Sequence, residues 1–292
     1  MTVAVLAHRG KTLGGGLEEL RKVLAEAGYP DPLWYEVPKS RKAPKKARKA
    51  VKAGARLVFV WGGDGMVQRC LDALAGKGVR VAILPAGTAN LLASNLGIPE
   101  DLGAAVHIGL SGERRRLDLG TVNGEHFAVM AGAGFDAAMI RDAGRGLKDM
   151  LGKASYVWTG LRHVTDSVYR MRIRVDGRPW FKGEASCVLF GNVGTLAGGV
   201  QVFDEARPDD GWLEVGVTTA SGALQWARTL GRIAVDRAER SPFVHTTRAR
   251  SVDVRFARPV DYELDGGARS PASRLKVRVV PLAVEVCVPS GR

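Results

Sequence analysis

Apolar and polar positions change their spacing along the chain, and the spacing predicts where strands and helices lie. Short continuous apolar runs are typical of buried strands, and apolar residues at every third or fourth position are typical of amphipathic helices. The first pattern covers residues 3–7, 57–61 and 79–84, and the second covers residues 17–27, 44–53 and 66–75. Because strands and helices alternate, we expect residues 1–120 to form an α/β domain with a parallel sheet and helical cover.

After about residue 119 the pattern changes to short β-like runs separated by glycine, proline and aspartate. The predicted strands are 127–130, 170–175, 186–190, 213–219, 251–256 and 275–280, and two helix-like inserts are predicted at 147–168 and 223–234. Many short strands with turn signals between them favour a β-sandwich over residues 121–280. A last strand at 284–288 is expected to return to the first domain, to which we therefore assign residues 281–292.

One glycine-rich loop, Gly62-Gly63-Asp64-Gly65, lies between a predicted strand and a predicted helix. Glycines let backbone N–H groups approach an anion closely, and a helix N-terminus favours phosphate. Asp64 would repel a bare triphosphate, so we interpret it as a group that orients Mg²⁺ or its bound water beside a nucleotide. On this tetrapeptide alone, a plain glycine turn explains the sequence equally well.

A second loop, Pro85-Ala86-Gly87-Thr88-Ala89-Asn90, follows the next predicted strand and again precedes a helix. Ligands of open α/β sheets bind at the carboxyl ends of the strands. We therefore expect both loops to converge on one nucleotide, with the Thr88 hydroxyl and the Asn90 amide as polar contacts.

Further motifs follow these two loops in a fixed order across nearly the whole chain. They are Gly132-Ala133-Gly134-Phe135-Asp136-Ala137, Gly191-Asn192, Asp209-Asp210-Gly211 and Asp265-Gly266. With these motifs the sequence resembles the diacylglycerol kinase catalytic-domain superfamily, which includes bacterial soluble diacylglycerol kinases, YegS-like lipid kinases and sphingosine kinases. The resemblance implies a fold like that of NAD kinase and diacylglycerol kinase, with the nucleotide in the cleft between the α/β domain and the β-sandwich. It also implies that ATP phosphorylates a lipid hydroxyl, with diacylglycerol as the first candidate acceptor and phosphatidic acid as its product.

The resemblance also implies roles for individual residues. Nucleotide binding is assigned to Gly62, Gly63, Asp64, Gly65, Met66, Val67, Gln68 and Thr88, with Ser40 in the place of an upstream hydroxyl residue. Asp118 would join Asp64 in the metal network near the phosphates. A Mg²⁺ ion is expected at the turn 207–212, held by Asp210 and by the carbonyls of Arg207 and Trp212. Without the resemblance, Asp210-Gly211 is more simply a turn.

Phosphoryl transfer to an alcohol needs a carboxylate that accepts the hydroxyl proton. Asp265 is the candidate base, in the segment Glu263-Leu264-Asp265-Gly266-Gly267. The family pattern is Asp-Gly-Glu, with the Glu often credited as proton acceptor, and Gly267 stands in its place here. If residues 263–265 form a strand, Glu263 shares a face with Asp265 and can assist it.

Other departures from the family pattern leave different activities open. Met66 and Leu91 stand where the family usually has Thr and often has Asp. Kinases of a sphingoid base or of phosphatidylglycerol remain alternatives, as does a non-catalytic protein that binds nucleotide or lipid. NAD kinase and phosphofructokinase relatives share the Gly-Gly-Asp-Gly loop, but we find none of their downstream substrate motifs.

Charge adds an expectation about partners. The 292 residues have a formal net charge of +13, which attracts anionic partners. A dense cationic run, interpreted as a solvated helix face or a contact with an anionic membrane surface, comprises Lys39, Arg41, Lys42, Lys45, Lys46, Arg48, Lys49 and Lys52. Nucleic acid is not an expected partner, since the run has no aromatic residue and no known reader motif accompanies it.

The cysteines and the length of the apolar runs indicate where the protein is located in the cell. Widely spaced Cys70, Cys187 and Cys287 suit reduced thiols in a cytosolic protein. No apolar run is long enough to span a bilayer. We therefore expect a cytoplasmic protein that associates transiently with the inner face of the membrane, where its lipid substrate lies. A homodimer is left open.

Overall fold

The computed structural model describes residues 1–11, 15–134, 168–196, 200–221, 225–226, 229 and 241–291. Residues 135–137 of the third glycine motif and nearly all of the predicted helical inserts at 147–168 and 223–234 lie outside the described residues. The chain divides into two compact units, Met1–Asp118 with Pro281–Arg292 (unit 1) and Leu119–Val280 (unit 2).

Unit 1 contains a parallel sheet. Its strands are β1 (Val3–His8), β2 (Leu33–Val37), β3 (Leu57–Gly62) and β4 (Arg80–Pro85), in the order β2-β1-β3-β4. The C-terminal end of the last strand of the chain pairs in parallel with β4, with Glu285 opposite Arg80. All of β3 is buried, because helices cover the sheet.

The helices of unit 1 are α1 (Gly16–Glu26), a short 3-10 helix (Ser40–Lys42), α2 (Ala43–Lys52), α3 (Asp64–Leu74), α4 (Leu91–Asn95) and α5 (Leu102–Ser111). Helices α1, α2 and α3 are amphipathic, as their apolar spacing predicts. On α2, Ala43, Ala47 and Ala50 are buried. The predicted strands and helices between residues 3 and 85 have the predicted bounds within one or two residues. The sequence pattern does not predict β2 and α5.

Most of the described residues of unit 2 lie in strands. The strands are β5 (Glu113–Val122), which begins in unit 1, β6 (Glu125–Phe127), β7 (Met130–Ala133), β8 (Tyr169–Val175), β9 (Arg178–Ala185), β10 (Cys187–Gly191), β11 (Thr195–Leu196), β12 (Val200–Gln201), β13 (Leu213–Thr218), β14 (Val244–Ala249), β15 (Ser251–Leu264) and β16 (Gly267–Val288). Neighbours pair antiparallel in the order β14-β13-β10-β7-β15, and β15 also pairs with β8 and β16.

Two groups of strands in unit 2 share one apolar core, which gives the predicted β-sandwich. Val188 and Phe190 come from β10, and Ile173, Val254 and Leu275 come from β8, β15 and β16. The predicted strand at 127–130 is wrong, because β6 ends at Phe127 and β7 begins at Met130. Strands 251–256 and 275–280 are correct in place but are parts of longer strands.

No helix among the described residues has the length and apolar content needed to cross a bilayer. The three cysteines are buried free thiols.

Candidate functional site

The two glycine loops of unit 1 meet backbone to backbone. Strands β3 and β4 are parallel neighbours with Gly62 opposite Pro85, and the amide of Ala86 donates to the carbonyl of Gly62 at 3.0 Å. A Cβ atom on Gly87 would lie 2.5 Å from the Cα of Gly63. Glycine is therefore required at both positions, and the carboxyl ends of the two strands form one continuous backbone surface.

Asn90 holds the second loop in shape. Its backbone has a φ of 48°, in the left-handed region that asparagine tolerates better than most residues. Its side-chain oxygen accepts from the amide of Gly87 at 2.8 Å, and its side-chain nitrogen donates to the carbonyl of Gly87 and to Glu100, each at 3.1 Å. The buried Asn90 thus braces the loop from within, whereas Thr88 is exposed at its tip.

Asp64 connects the first loop to the helix after the second. It is the first residue of α3, and its carboxylate accepts from the amide of Leu91, the first residue of α4, at 2.6 Å. Burial raises the pKa of Asp64 above its ordinary value, and hydrogen bonds from the amides of Leu91 and Leu92 oppose that shift. The amide groups at a helix N-terminus lack partners within the helix, so this carboxylate has a local structural function.

The remaining predicted nucleotide contacts differ in their surroundings. The side chains of Met66, Val67 and Gln68 are buried, so only their backbone could face a ligand. Gly65 is exposed at the start of α3. Ser40 begins the 3-10 helix, which packs against α3.

Asp118 is buried in unit 1, next to the C-terminal segment of the chain that returns to this unit. Its exposed fraction is 1%, and its carboxylate accepts from the amide of Leu282 at 2.8 Å. Leu282 lies within β16 and has a φ of 50°, so this hydrogen bond stabilises an unfavourable backbone conformation in the strand. No pattern in the sequence indicates this contact.

Asp265 lies at the tip of the hairpin between β15 and β16 in unit 2. Asp265 and Gly266 have φ angles of 46° and 75°, as in the two-residue turns of tight hairpins. The Asp265 carboxylate accepts from three consecutive backbone amides, of Ala128 at 2.8 Å and of Val129 and Met130 at 2.9 Å each. These bonds explain the break between β6 and β7, since the amides face a carboxylate rather than a neighbouring strand.

Asn192 holds the same segment from another side. Its side-chain nitrogen donates to the carbonyl of Ala128 at 2.9 Å, and its backbone amide donates to Val129 at 2.9 Å. Asn192 and Asp265 therefore hold the turn that leads into β7. The Gly191-Asn192 motif signalled an important residue but not this function.

Glu263 differs from Asp265 in backbone conformation, since it lies in β15. The expectation that the two residues share a strand face is wrong, because Asp265 is in the turn. Glu263 is buried, and its carboxylate accepts from the amide of Gly266 at 2.6 Å. Burial and the nearby charge of Asp265 raise the pKa of Glu263 to about 8, against the opposing effects of the Gly266 amide and of Arg269.

An arginine lies beside Gly267, at the position where the family pattern has Glu. Arg269 donates to the carbonyl of Gly267 at 2.7 Å and pairs with Glu125 at 2.5 Å. A Cβ atom on Gly267 would lie 2.8 Å from the guanidinium of Arg269. The space next to the turn is thus taken by a guanidinium group.

In the turn predicted to hold Mg²⁺, the Asp210 carboxylate has protein partners in this structure. Asp210 accepts from the amide of Trp212 at 3.0 Å, and its other oxygen pairs with Arg248, which also contacts Glu214 at 3.0 Å. A cation already neutralises the carboxylate, and magnesium prefers several oxygen ligands. Arg207 is exposed before this turn. Among the described residues no cluster of three or more metal-ligating side chains occurs.

Two family models cover most of the chain. The diacylglycerol kinase catalytic domain matches residues 8–122, and the YegS C-terminal NAD kinase beta sandwich-like domain matches residues 129–288.

Curated relatives agree with these models. A protein of Pseudomonas aeruginosa strain UCBPP-PA14 named "Probable lipid kinase YegS-like" is 33% identical over 253 residues, which cover 85% of this chain and 82% of the relative. A diacylglycerol kinase of Staphylococcus carnosus strain TM300 is 24% identical over 267 residues, covering 90% of this chain and 87% of the relative.

Solved structures share the fold. A protein of Bacillus anthracis strain Sterne assigned as a diacylglycerol kinase has a TM-score of 0.83 at 22% identity, covering 99% of this chain and 97% of the other. An NAD kinase of Archaeoglobus fulgidus in complex with ATP has a TM-score of 0.54 at 10% identity, covering 99% and 94%. The extent of these matches places the chain in the family of YegS-like lipid kinases that carry a diacylglycerol kinase catalytic domain.

Proposed function

We propose that this lipid kinase transfers the γ-phosphoryl group of ATP to the hydroxyl of diacylglycerol at a membrane surface and forms phosphatidic acid. The observation that supports the nucleotide part of this proposal is the contact between Gly63 and Gly87 at the carboxyl ends of β3 and β4. A backbone surface without side chains, next to the N-terminus of α3, suits the closely spaced oxygens of a triphosphate.

In this proposal some residues of the two glycine loops contact the nucleotide and others hold the loops in shape. The exposed Gly65 and Thr88 face the nucleotide, and the buried Asn90 keeps the second loop in its binding shape. Asp64 ties the two loops together through Leu91. Magnesium that arrives with ATP would reduce charge repulsion on the phosphates, and Asp64 is the carboxylate in this loop suited to interact with it. The turn at Asp210 has no step in this mechanism.

The proton of the lipid hydroxyl needs an acceptor. In this proposal the acceptor lies in the hairpin turn of unit 2. Asp265 remains the proposed base, although three amide hydrogen bonds occupy most of its acceptor positions. Glu263 is the second carboxyl group of this turn, and its raised pKa gives it the proton affinity of a base that works near neutral pH. The absence of a carboxylate at residue 267 is the specific observation that favours the alternative, a nucleotide- or lipid-binding protein without kinase activity.

A transfer assay separates these functions. Radiolabelled ATP with Mg²⁺ is supplied with mixed micelles that contain diacylglycerol, sphingoid base or phosphatidylglycerol, and NAD⁺ is tested as a soluble acceptor. We expect label in phosphatidic acid. Label in another lipid alone would identify that lipid as the acceptor in place of diacylglycerol. Label in NAD⁺ alone would reject lipid kinase activity. ATP binding without transfer to any acceptor would establish the non-catalytic alternative.

A further inference from the structure

One solvent-facing side of unit 2 has an unusual concentration of positive charge. Along β8, Met171 and Ile173 point into the core, so the residues between and beside them point outward. The same alternation holds in β15 and β16. The outward residues form what we call the cationic sheet face, which comprises Arg170, Arg172, Arg174, Lys182, Arg255, Arg274, Lys276 and Arg278, all exposed.

Strand register brings four of these cations into one row. Lys182 pairs with Arg172, Arg172 with Arg255, and Arg255 with Arg274. With a strand spacing of about 4.8 Å, the row extends for about 14 Å across four strands. Like charges placed directly opposite each other destabilise a sheet. The row therefore works against folding, and binding to an anionic partner accounts for it better than a general need for surface charge does.

Carboxylates neutralise only part of the face. Asp253 binds Arg274 through two hydrogen bonds of 2.8 and 2.5 Å and lies 4.0 Å from Arg255. In the part of unit 2 that the structure describes, no carboxylate lies within ion-pair distance of Arg172, Lys182 or Arg278.

A shallow depression marks one end of the face. Its volume is about 290 Å³, and its charged lining consists of four cations and one carboxylate: Arg174, Arg274, Lys276, Arg278 and Asp253. A depression of this kind gives a phosphate group several donors at once.

We propose that the cationic sheet face docks this protein onto an anionic membrane surface, with lipid phosphates over the Arg172 row and in the neighbouring depression. The proposal rests on the proposed function, because a kinase of a membrane lipid must meet the bilayer. An open face several strands wide matches a planar array of headgroups. Its outward residues include no aromatic ring on which a nucleic-acid base could stack.

The cationic run on α2 is the competing surface, and it provides a matched control. Three exposed cations of the sheet face without ion-pair partners are changed in one variant, Arg172→Gln, Lys182→Gln and Arg278→Gln. Three exposed cations of α2 are changed in the other, Lys45→Gln, Arg48→Gln and Lys52→Gln. Both variants lose three charges, so a difference between them reports the surface and not the net charge.

Binding is measured by co-sedimentation with phosphatidylglycerol–phosphatidylcholine vesicles at low salt. Each basic residue at such a surface changes the affinity by about fivefold. We expect the sheet-face variant to bind at least tenfold more weakly, and the α2 variant to stay within about twofold of the wild type. Equal losses in both variants, or no loss in the sheet-face variant, would overturn the proposal. Displacement of the wild type from vesicles by equimolar DNA would also overturn it, in favour of a nucleic-acid partner.

Failure of this inference is distinguishable from failure of the proposed function. With a short-chain, water-soluble diacylglycerol as acceptor, both variants should retain the turnover of the wild type, since no membrane is involved. If the wild type phosphorylates no lipid at all, the kinase proposal fails while the vesicle measurement still decides the docking surface. Melting temperatures at or above that of the wild type would verify that both variants are folded, since removal of like charges that face each other should not destabilise the sheet.

Discussion

At the scale of single residues, the carboxylate of Asp265 has a structural function besides any part in catalysis. Its three amide hydrogen bonds hold residues 128–130 in place, and charged acceptors make the stronger kind of hydrogen bond. Asp265→Asn replaces one oxygen by an N–H donor that faces another donor. We expect the free energy of unfolding to fall by roughly 3 kcal/mol and turnover to fall strongly, with ATP affinity nearly unchanged. Urea unfolding, steady-state kinetics and nucleotide titration measure these three quantities.

Asp261→Asn is the control for this substitution. Asp261 is an exposed carboxylate of the same strand, β15, and its loss should change stability by less than about 0.5 kcal/mol. If Asp265→Asn were as stable as Asp261→Asn, the amide hydrogen bonds would contribute nothing. Unchanged turnover would remove Asp265 from the mechanism.

Glu263 should make stability depend on pH. Its pKa is 4.5 in a model peptide and about 8 in the folded protein, so between these values the folded state binds more protons than the unfolded state. Stability must then fall as pH rises through this window, by up to about 1.4 kcal/mol per pH unit.

Glu263→Gln removes this titration, so its unfolding free energy should fall less steeply between pH 5 and 8, as measured by urea unfolding at each pH. Parallel curves for the variant and the wild type would contradict the raised pKa. If Glu263 also accepts the proton of the lipid, the acidic limb of the pH–rate profile should disappear in the variant as well.

At the scale of elements, the loop between β4 and α4 depends on Asn90. Asn90→Ala removes the two hydrogen bonds to Gly87 and puts alanine at a φ of 48°. We expect stability to fall by about 1–2 kcal/mol and the dissociation constant for ATP to rise about tenfold, because the loop loses its binding shape.

Asn123 provides a matched control in unit 2. It has a φ of 51° and hydrogen bonds to Lys276 and Arg274, far along the chain from the glycine loops. Asn123→Ala should lower stability by a similar amount and leave ATP affinity unchanged. Equal weakening of ATP binding in both variants would mean that Asn90 acts only through general stability.

Sequence patterns predicted these elements unequally well. Strands β3 and β4 and helix α3 have strong apolar patterns with glycines at their ends, so both their positions and the meeting of their loops could be predicted. Strand β2 is half-buried and its pattern is weak. The break at residues 128–129 could not be predicted, because it depends on Asp265, which is more than 130 residues away in the sequence. For the same reason the sequence predicts only a magnesium-orienting function for Asp64, although its carboxylate also accepts a hydrogen bond from the first amide of α4.

At the scale of the whole molecule, charge and chemistry are distributed over both units. The net charge of +13 predicted an anionic partner without indicating where it binds. Register across β9, β8, β15 and β16 adds that information, since cations distant in sequence become neighbours in one row. The glycine loops belong to unit 1, and the carboxylates of the hairpin turn belong to unit 2.

Whether the two glycine loops bind the nucleotide can be decided by calorimetric titration of MgATP into the wild type and into Gly87→Ala. A Cβ atom at residue 87 would lie 2.5 Å from Gly63 and 2.6 Å from the side chain of Asn90, so the loops must separate in the variant. Gly103→Ala, at an exposed position in α5, controls for the added methyl group. We predict one MgATP site per chain in the wild type and in Gly103→Ala, and at least tenfold weaker binding in Gly87→Ala. No heat of binding in the wild type, or equal affinity in all three proteins, would mean that the glycine loops do not form the MgATP site.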